Sequence, residues 1–237
     1  HFGETSAAAN GNPDSDELTN LQEYEKGTDP NEPEMPVHVD VANDSGVEDG
    51  SELHPFNTIQ EAIDAALEGD TVIVHDGVYA GDGNRDIAFR GKALTLISHN
   101  GPAACVIDCQ GSAGDPHRGF FFATGDSNTV IVHGFTITNG YAFGDSPDGG
   151  GILCVSDASP TITGNVLTGC YAQSDGGGIA LRDDTSPIIT DNIVSNNTAE
   201  NNGGGVFCGE NASATITGNT LQENAADVSG GGLACES

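Results

Sequence analysis

The chain of 237 residues is long enough for one solenoid with a small attachment, or for two domains. Six Lys and Arg residues against 36 Asp and Glu give a net charge of −30, which excludes nucleic acid as a partner because neutralising phosphates requires basic side chains. No apolar stretch approaches the roughly 18 residues of a membrane-spanning helix, and so acidic a surface suits a secreted or cell-surface protein in a salty or calcium-rich medium.

The first 33 residues contain the oxygen spacing of a calcium-binding loop. Counting from Asn12, side-chain oxygens fall at positions 1, 3, 5, 9 and 12, and Leu18 can offer its main-chain carbonyl at position 7. Position 6 is Glu17, where such loops usually have the glycine of a sharp turn, so we expect a weaker affinity or an altered turn. The alternative is an acidic tail that binds no metal. The predicted Ca²⁺ ligands are Asn12, Asp14, Asp16, Leu18, Asn20 and Glu23.

Residues 34–70 are predicted to form a first strand and a capping helix. Apolar and polar residues alternate over 37–41, which is typical of a strand with one buried face. A helix is predicted over 57–68, because Thr58 and Glu61 have the spacing of a capping box. We expect the apolar face of this helix to cover the open end of the first turn of the main domain. That face consists of Ile59, Ala62, Ile63, Ala66 and Leu67.

From residue 71 onward, short apolar runs are separated by Gly, Asn, Asp or Pro. Runs of three to five residues are too short for amphipathic helices and predict strands. Up to residue 141 these runs are irregularly spaced. The strands predicted there are 71–74, 94–96, 106–108, 120–122, 130–132 and 135–137.

Four Gly-Gly-Gly triplets then recur with a period of 27 residues. The heptapeptide at 159–165 recurs in related form at 186–192 and 213–219, again 27 apart. A fixed period of this size indicates a solenoid, in which stacked repeats bury a core that one repeat could not bury alone. We therefore predict an all-β protein, a right-handed parallel β-helix with 27-residue turns over 71–237. The triplets begin at Gly149, Gly176, Gly203 and Gly230.

Equivalent residues of successive repeats are expected to stack inside the solenoid, because positions two apart on a strand share one face. The three asparagines Asn165, Asn192 and Asn219 are expected to form a ladder, since side-chain amides at strand spacing can bond to their copies. The predicted apolar stacks are Ile152 with Ile179, Val206 and Leu233; Cys154 with Leu181, Cys208 and Cys235; Ile162 with Ile189 and Ile216; and Ala172 with Ala199 and Ala226.

The six cysteines allow two interpretations. Buried free cysteines behave as small apolar residues, and most of the six fit that role. One disulfide is also compatible with the repeat, because Cys208 and Cys235 fall at equivalent places on adjacent turns. No Cys-x-x-Cys pair is present, which disfavours a zinc site.

Several stretches resemble secreted bacterial proteins. Residues 14–24, with Gly-Thr-Asp-Pro at 27–30, resemble the thrombospondin type 3 repeat, an extracellular calcium module. Residues 55–63, 69–72 and 91–96 look like the N-terminal cap of β-helices of the pectate lyase superfamily, and the Gly-Gly-Gly-Ile repeats are similar to those of polymorphic outer membrane proteins. The resemblance implies a β-helix fold and export. It implies no single activity, because this fold hosts lyases, hydrolases, epimerases and adhesins.

No catalytic residues are predicted. The lyases of the superfamily that the repeats resemble need a base, often Lys or Arg, and a cation to neutralise the uronate carboxylate. The regular turns contain one basic residue, Arg182, and its pairing with the adjacent Asp183 on the outer face is more typical of a surface ion pair than of a site. A hydrolase would show paired acids. Asp148 and Asp175 hold equivalent places, but Asn202 follows them, which indicates turn formation.

Three functions remain open from the sequence. The first is a secreted or cell-surface, calcium-binding β-helix with a structural, adhesive or assembly role. The second is a polysaccharide-binding or lyase-like, polysaccharide-cleaving β-helix. The third is a self-assembling filament or surface-layer subunit that contacts other copies through its last turn. No capping element follows the last triplet, and terminal repeats normally need one, so we expect either such a contact or a native solenoid that continues beyond residue 237.

Overall fold

The computed structural model describes residues 35–236 of the chain. The predicted calcium loop, residues 12–23, lies outside the described residues and stays a prediction. Within the described range, neighbouring strands of each sheet come from successive turns of one coil and run parallel. This arrangement confirms the predicted right-handed parallel β-helix.

Each regular turn of the coil contributes one strand to each of four sheets. The first sheet consists of β1 (Val37–Val39), β2 (Thr71–Val74), β4 (Thr95–Ser98), β7 (Ile131–His133), β11 (Thr161–Thr163), β15 (Ile188–Thr190) and β19 (Thr215–Thr217). The second sheet consists of β3 (Gly77–Ala80), β5 (Cys105–Asp108), β8 (Thr136–Thr138), β12 (Val166–Thr168), β16 (Ile193–Ser195) and β20 (Thr220–Gln222). The third sheet consists of β6 (Phe120–Phe122), β10 (Ile152–Cys154), β14 (Ile179–Leu181), β18 (Val206–Cys208) and β22 (Leu233–Cys235). The fourth sheet, of two-residue strands, consists of β9 (Tyr141–Ala142), β13 (Tyr171–Ala172), β17 (Thr198–Ala199) and β21 (Ala225–Ala226).

Residues 27 apart in the sequence are direct neighbours in the regular part of the coil. Ile152 is the register partner of Ile179, and each predicted apolar stack is present with the predicted members. Phe120 and Phe122 lie on Ile152 and Cys154. The stacked side chains are buried down to β18 and are partly or fully exposed in the turn that contains β19 to β22. The period of the sequence is therefore the length of one physical turn.

The predicted asparagine ladder is confirmed. The main-chain N–H of Asn165 donates to Oδ1 of Asn192 at 2.9 Å, and Nδ2 of Asn192 donates to Oδ1 of Asn219 at 3.0 Å. Nδ2 of Asn192 also donates to the carbonyl of Ile162 at 2.9 Å. The ladder thus supplies hydrogen-bond partners to main-chain groups at a corner that lies outside the strands. Buried polar groups require such partners.

A second ladder on the opposite side of the second sheet was not predicted. Asn197 accepts the main-chain N–H of Cys170 at 2.9 Å and donates to Oδ1 of Asn224 at 3.1 Å. Its Nδ2 also donates to the carbonyl of Leu167 at 3.0 Å. The sequence holds the signal for this ladder, because these positions are also 27 apart, but a cysteine replaces the amide at the first of them.

The glycine triplets serve two different needs. The first glycine of each triplet has a positive φ between +62° and +69°, a conformation that glycine adopts without steric cost. The second glycine has no such backbone strain. A Cβ on Gly177 would lie 2.5 Å from the carbonyl oxygen of Gly204, because the turns approach each other closely there. The first glycine is therefore required by its backbone conformation as well as by a close carbonyl, and the second by the close approach alone.

The N-terminal helix, α1 (Ile59–Ala65), is shorter than the predicted 57–68. Thr58 caps it by accepting the N–H of Glu61 at 3.3 Å, and the buried face contacts β1 and β2, as expected for a cap. Leu67 was predicted on that buried face, and this was wrong. The backbone leaves the helix at Ala66, whose ψ is 148°, so the side chain of Leu67 is 52% exposed.

Some predicted strands are displaced by one residue. Strands were expected to begin at Val130 and Phe135, whereas β7 and β8 begin one residue later. The N–H of Val130 closes a turn onto the carbonyl of Ser127, and the N–H of Phe135 donates to the side chain of Asn165. Both residues are buried like strand residues, but their main-chain donors are used at corners.

Candidate functional site

The basic residues are the natural starting point for a site in so acidic a chain. Four arginines and one lysine lie among residues 35–236. Lys92 lies in the stretch 91–96 that resembles a cap, and its Nζ donates to the carbonyls of Ile63, Asp64 and Ala66 at 2.9, 2.7 and 2.9 Å. A cation at the C-terminal end of a helix satisfies carbonyls that have no partner within the helix. Lys92 is therefore engaged in holding α1.

Arg85 and His117 belong to a cluster with three aspartates. Arg85 Nη2 lies 3.2 Å from Asp82 Oδ1, and Nη1 donates to the carbonyl of Cys109 at 3.3 Å. The imidazole of His117 lies between two carboxylates, with Nδ1 2.5 Å from Asp86 Oδ2 and Nε2 3.1 Å from Asp115 Oδ1. These contacts join loop 82–86 to loop 115–118 on the outside of the coil.

Arg118 holds the loop that enters the first glycine triplet. Its Nε donates to the carbonyl of Gly149 at 3.2 Å, and Nη2 donates to the carbonyls of Ser146 and Asp148 at 2.9 and 3.2 Å. Burial lowers the pKa of Arg118, and the charges of Asp86 and Asp148 oppose that shift. The guanidinium therefore acts as a main-chain clamp, with its donors directed at loop carbonyls.

Arg182 lies between two stacked aspartates on adjacent turns. Its Nε and Nη2 each lie 3.2 Å from a carboxylate oxygen of Asp148, and Nη2 lies 2.5 Å from Asp175 Oδ2. The guanidinium carbon sits 4.4 Å from the centre of the Phe207 ring, a cation–π arrangement. Burial alone would lower the pKa of Arg182, but the hydrogen bonds and charge of Asp148 and then Asp175 outweigh it and raise the pKa.

The predicted pairing of Arg182 with Asp183 is not formed. Asp183 and Asp184 occupy a turn with φ values of 54° and 61°, outside the strand that ends at Leu181. The partners Asp148 and Asp175 also act as turn acceptors, as predicted, since Asp148 Oδ1 accepts the N–H of Asp175 at 2.9 Å. The same hydrogen bond recurs on the next turn of the coil, where Asp175 Oδ1 accepts the N–H of Asn202 at 2.8 Å.

Three histidines form a column beside the first sheet that sequence analysis missed, with His38 in β1 and His75 and His99 directly after β2 and β4. His38 Nδ1 lies 3.0 Å from His75 Nε2, and the rings of His75 and His99 have centroids 5.1 Å apart. Burial lowers the pKa of His38, and the charge of His75 lowers it further, while Glu52 opposes the shift. The unequal turns in this region hid the alignment, because the histidines do not recur at a constant spacing.

Two tyrosines stack on the outer face of the fourth sheet. Tyr141 and Tyr171 are register partners on adjacent turns, with ring centroids 4.3 Å apart and an interplanar angle of 25°. The hydroxyl of Tyr171 donates to the carboxylate of Glu200. Phe143 lies 6.2 Å from Tyr141 and extends the aromatic surface. Both tyrosines are half-buried, so part of each ring is exposed to solvent.

Residues 35–236 contain no group of three or more His, Cys, Asp or Glu side chains arranged to hold a metal ion. The six predicted Ca²⁺ ligands precede that range. No helix of the described part has both the length and the apolar character to cross a bilayer.

The repeat architecture is matched by a known family. Residues 71–237, more than half of the chain, match the family described as a right handed beta helix region. The chain belongs to the right-handed β-helix family. Comparison with curated proteins gives no match, and comparison with solved structures gives none. Membership of the right-handed β-helix family accounts for the coil.

Replacing Arg182 by Gln tests whether this residue is structural. The change leaves two stacked, largely buried carboxylates without a cation, so we expect the free energy of unfolding to fall by roughly 2 kcal/mol. The matched control is Arg90→Gln, because Arg90 is 67% exposed and pairs with Asp64 at the surface. This change should lower the free energy of unfolding by less than about 1 kcal/mol. Urea unfolding followed by circular dichroism measures both values. Equal losses in the two variants would contradict the structural role.

The histidine column predicts a loss of stability in mild acid. The folded-state pKa of His38 lies below its ordinary value of 6.5, so below that pH the unfolded chain binds a proton that the folded chain resists. Stability is therefore full above pH 6.5 and falls as the pH decreases towards 5. Melting curves of the native chain and of His38→Gln between pH 7.5 and 5 measure the effect. The variant should show a shallower fall, and parallel curves would refute the assignment to His38.

Proposed function

We propose that the protein is an extracellular β-helix that binds Ca²⁺ through Asn12, Asp14, Asp16, Leu18, Asn20 and Glu23 and has a structural, adhesive or surface-assembly role without catalysis. One observation supports the proposal. All five basic side chains of the described residues make hydrogen bonds to other residues of the chain. The cations therefore stabilise the coil itself, and the outer surface of the coil is strongly acidic.

The engaged cations argue against a lyase. A lyase needs a base beside the uronate and a positive group to neutralise its carboxylate. Arg118 donates to loop carbonyls, and Arg182 is paired with two aspartates, so neither presents a free charge to a substrate. An acidic polysaccharide would also be repelled by a chain of net charge −30.

The same charge supports a role for Ca²⁺. A chain with 36 acidic residues repels itself when compact, and divalent cations relieve that repulsion while linking acidic surfaces. The segment 12–23 has the alternating oxygens that Ca²⁺ prefers over Mg²⁺, because Ca²⁺ accepts more ligands in a flexible geometry. Glu17 at the position usually held by glycine favours the weak binding of extracellular modules, with a Kd on the order of 10⁻⁴ to 10⁻³ M.

Calorimetric titration of the whole chain with Ca²⁺ tests the loop. We expect Glu23→Gln to weaken the tightest binding about tenfold or more, because the amide cannot supply the two carboxylate oxygens that close the site. Glu25→Gln removes the same charge two residues away and should leave that affinity unchanged. Equal weakening in both variants would indicate diffuse charge screening, and the absence of stabilisation by millimolar Ca²⁺ in melting curves would exclude the loop.

Incubation with pectate, alginate and chondroitin should give no absorbance of unsaturated uronates.

Polysaccharide binding without cleavage is the second candidate, and the tyrosine stack favours it. The faces of sugar rings carry C–H groups that pack on aromatic rings, whose faces are electron-rich. Tyr141 and Tyr171 supply two such rings on an outer sheet, and Glu200 beside them can accept hydrogen bonds from sugar hydroxyls. A neutral or weakly charged chain fits this surface best, because acidic residues dominate the rest of the protein.

Retention on immobilised neutral polysaccharides tests this candidate. Tyr171→Ala removes one ring of the stack and should reduce retention several-fold if the stack binds sugar. Thr198→Ala alters the register neighbour of Tyr171 on the next turn and should leave retention unchanged. Passage of the native chain through the column without delay, or equal retention of both variants, would exclude the tyrosine stack as a binding site.

A further inference from the structure

Two cysteines lie directly beside each other on adjacent turns of the coil. Cys208 ends β18, and Cys235 ends β22, and the two residues are register partners in a parallel pair. Among the strand registers of residues 35–236, this is the one pair in which both partners are cysteine. Cys154 lies in the same column, but Phe122 and Leu181 are its partners.

Main-chain hydrogen bonds hold the two cysteines in place from both sides. The N–H of Val206 donates to the carbonyl of Gly232, and the N–H of Glu236 donates to the carbonyl of Cys208, each at 2.9 Å. Adjacent strands at about 4.8 Å place the two Cα atoms within the range of about 4.4 to 6.8 Å that disulfides span. The thiol of Cys235 is also a direct electrostatic and hydrogen-bonding neighbour of the Cys208 thiol.

We propose that Cys208 and Cys235 are a disulfide site that links two successive turns of the coil under oxidising conditions. Both thiols are free in the structure. The bond would close a loop that contains one full turn, including the last glycine triplet. This inference goes beyond the proposed function and does not depend on the calcium loop.

The bond forms by exchange with a small disulfide such as oxidised glutathione. Cys235 is exposed and Cys208 is buried, so the Cys235 thiolate attacks first, forms a mixed disulfide and releases one molecule of the reduced thiol. Burial raises the pKa of Cys208 to about 12, and the neighbouring Cys235 adds to the shift. Cys208 then loses its proton to solvent as it attacks the Cys235 sulfur, and the second reduced thiol leaves. The protein is oxidised by two electrons, and the small disulfide is reduced.

The disulfide would lie in the part of the described coil whose strand residues are least buried. The turn that contains β19 to β22 has partly or fully exposed strands, and its stacked residues are covered on one side only in the described structure. Closing a loop of this length removes conformations from the opened chain, which favours the docked turn. The disulfide would therefore slow local opening of residues 209–235 more than it changes the rest of the coil.

The test uses the whole chain, reduced and then exposed to oxidised glutathione at pH 8. We expect two of its six thiols to disappear, the mass of the monomer to fall by two hydrogen atoms, and peptide mapping to find Cys208 linked to Cys235. Cys235→Ser should keep its five remaining thiols. Cys154→Ala, a control in the same column, should still lose two thiols. Hydrogen exchange of residues 209–235 should slow at least several-fold on oxidation and recover with reducing agent.

Several outcomes would overturn the proposal. One is the survival of all six thiols in the folded, oxidised chain. Another is a stable glutathione adduct on Cys235 that Cys208 does not displace, which would show that the two sulfurs cannot meet. A dimer linked through Cys235, or a disulfide mapped to Cys109 or Cys170, would equally exclude this site.

Discussion

The close main-chain contact between successive turns is the constraint on which the rest of the structure depends. Hydrogen bonds run from turn to turn through the sheets and also through the corners, where the N–H of Gly177 donates to the carbonyl of Gly203 at 3.1 Å. Such continuity leaves no room for a Cβ at the second glycine of a triplet. It also gives each corner residue the same environment in every turn, so amides and small apolar residues stack on their own kind. The core is therefore a set of columns that run along the coil.

This constraint explains which features sequence analysis could predict. A column requires equivalent residues at a constant interval, so the stacks of isoleucine, alanine and asparagine were visible as a period of 27. Two other features were missed or displaced. The ladder at Asn197 begins with a cysteine, and Leu67 follows a helical pattern although the backbone has already left the helix at Ala66. Periodicity reports what neighbouring turns share, and it contains no information on the irregular ends.

The charged contacts could not be predicted for a related reason. Arg182 was expected to pair with the adjacent Asp183, but a turn of positive φ directs that residue away, and the partners come from Asp148 and Asp175. In a coil, a carboxylate on another turn can lie closer in space than one that is adjacent in the sequence. The same holds for Arg118, which reaches the loop at 146–149. The six predicted calcium ligands precede the described residues, so that prediction rests on the spacing of their oxygens alone.

The equal turns have a consequence for how such a chain can change in length. Every regular turn offers the same columns and the same corner hydrogen bonds to the turn on either side. A duplication or deletion of a whole 27-residue unit keeps the register of the strands and of the glycine triplets in the remaining turns. An insertion or deletion of one or two residues within a strand would instead move the glycines away from the corner positions that require glycine. We therefore expect the regular part of the coil to tolerate changes in length by whole turns, and smaller changes in its outer loops.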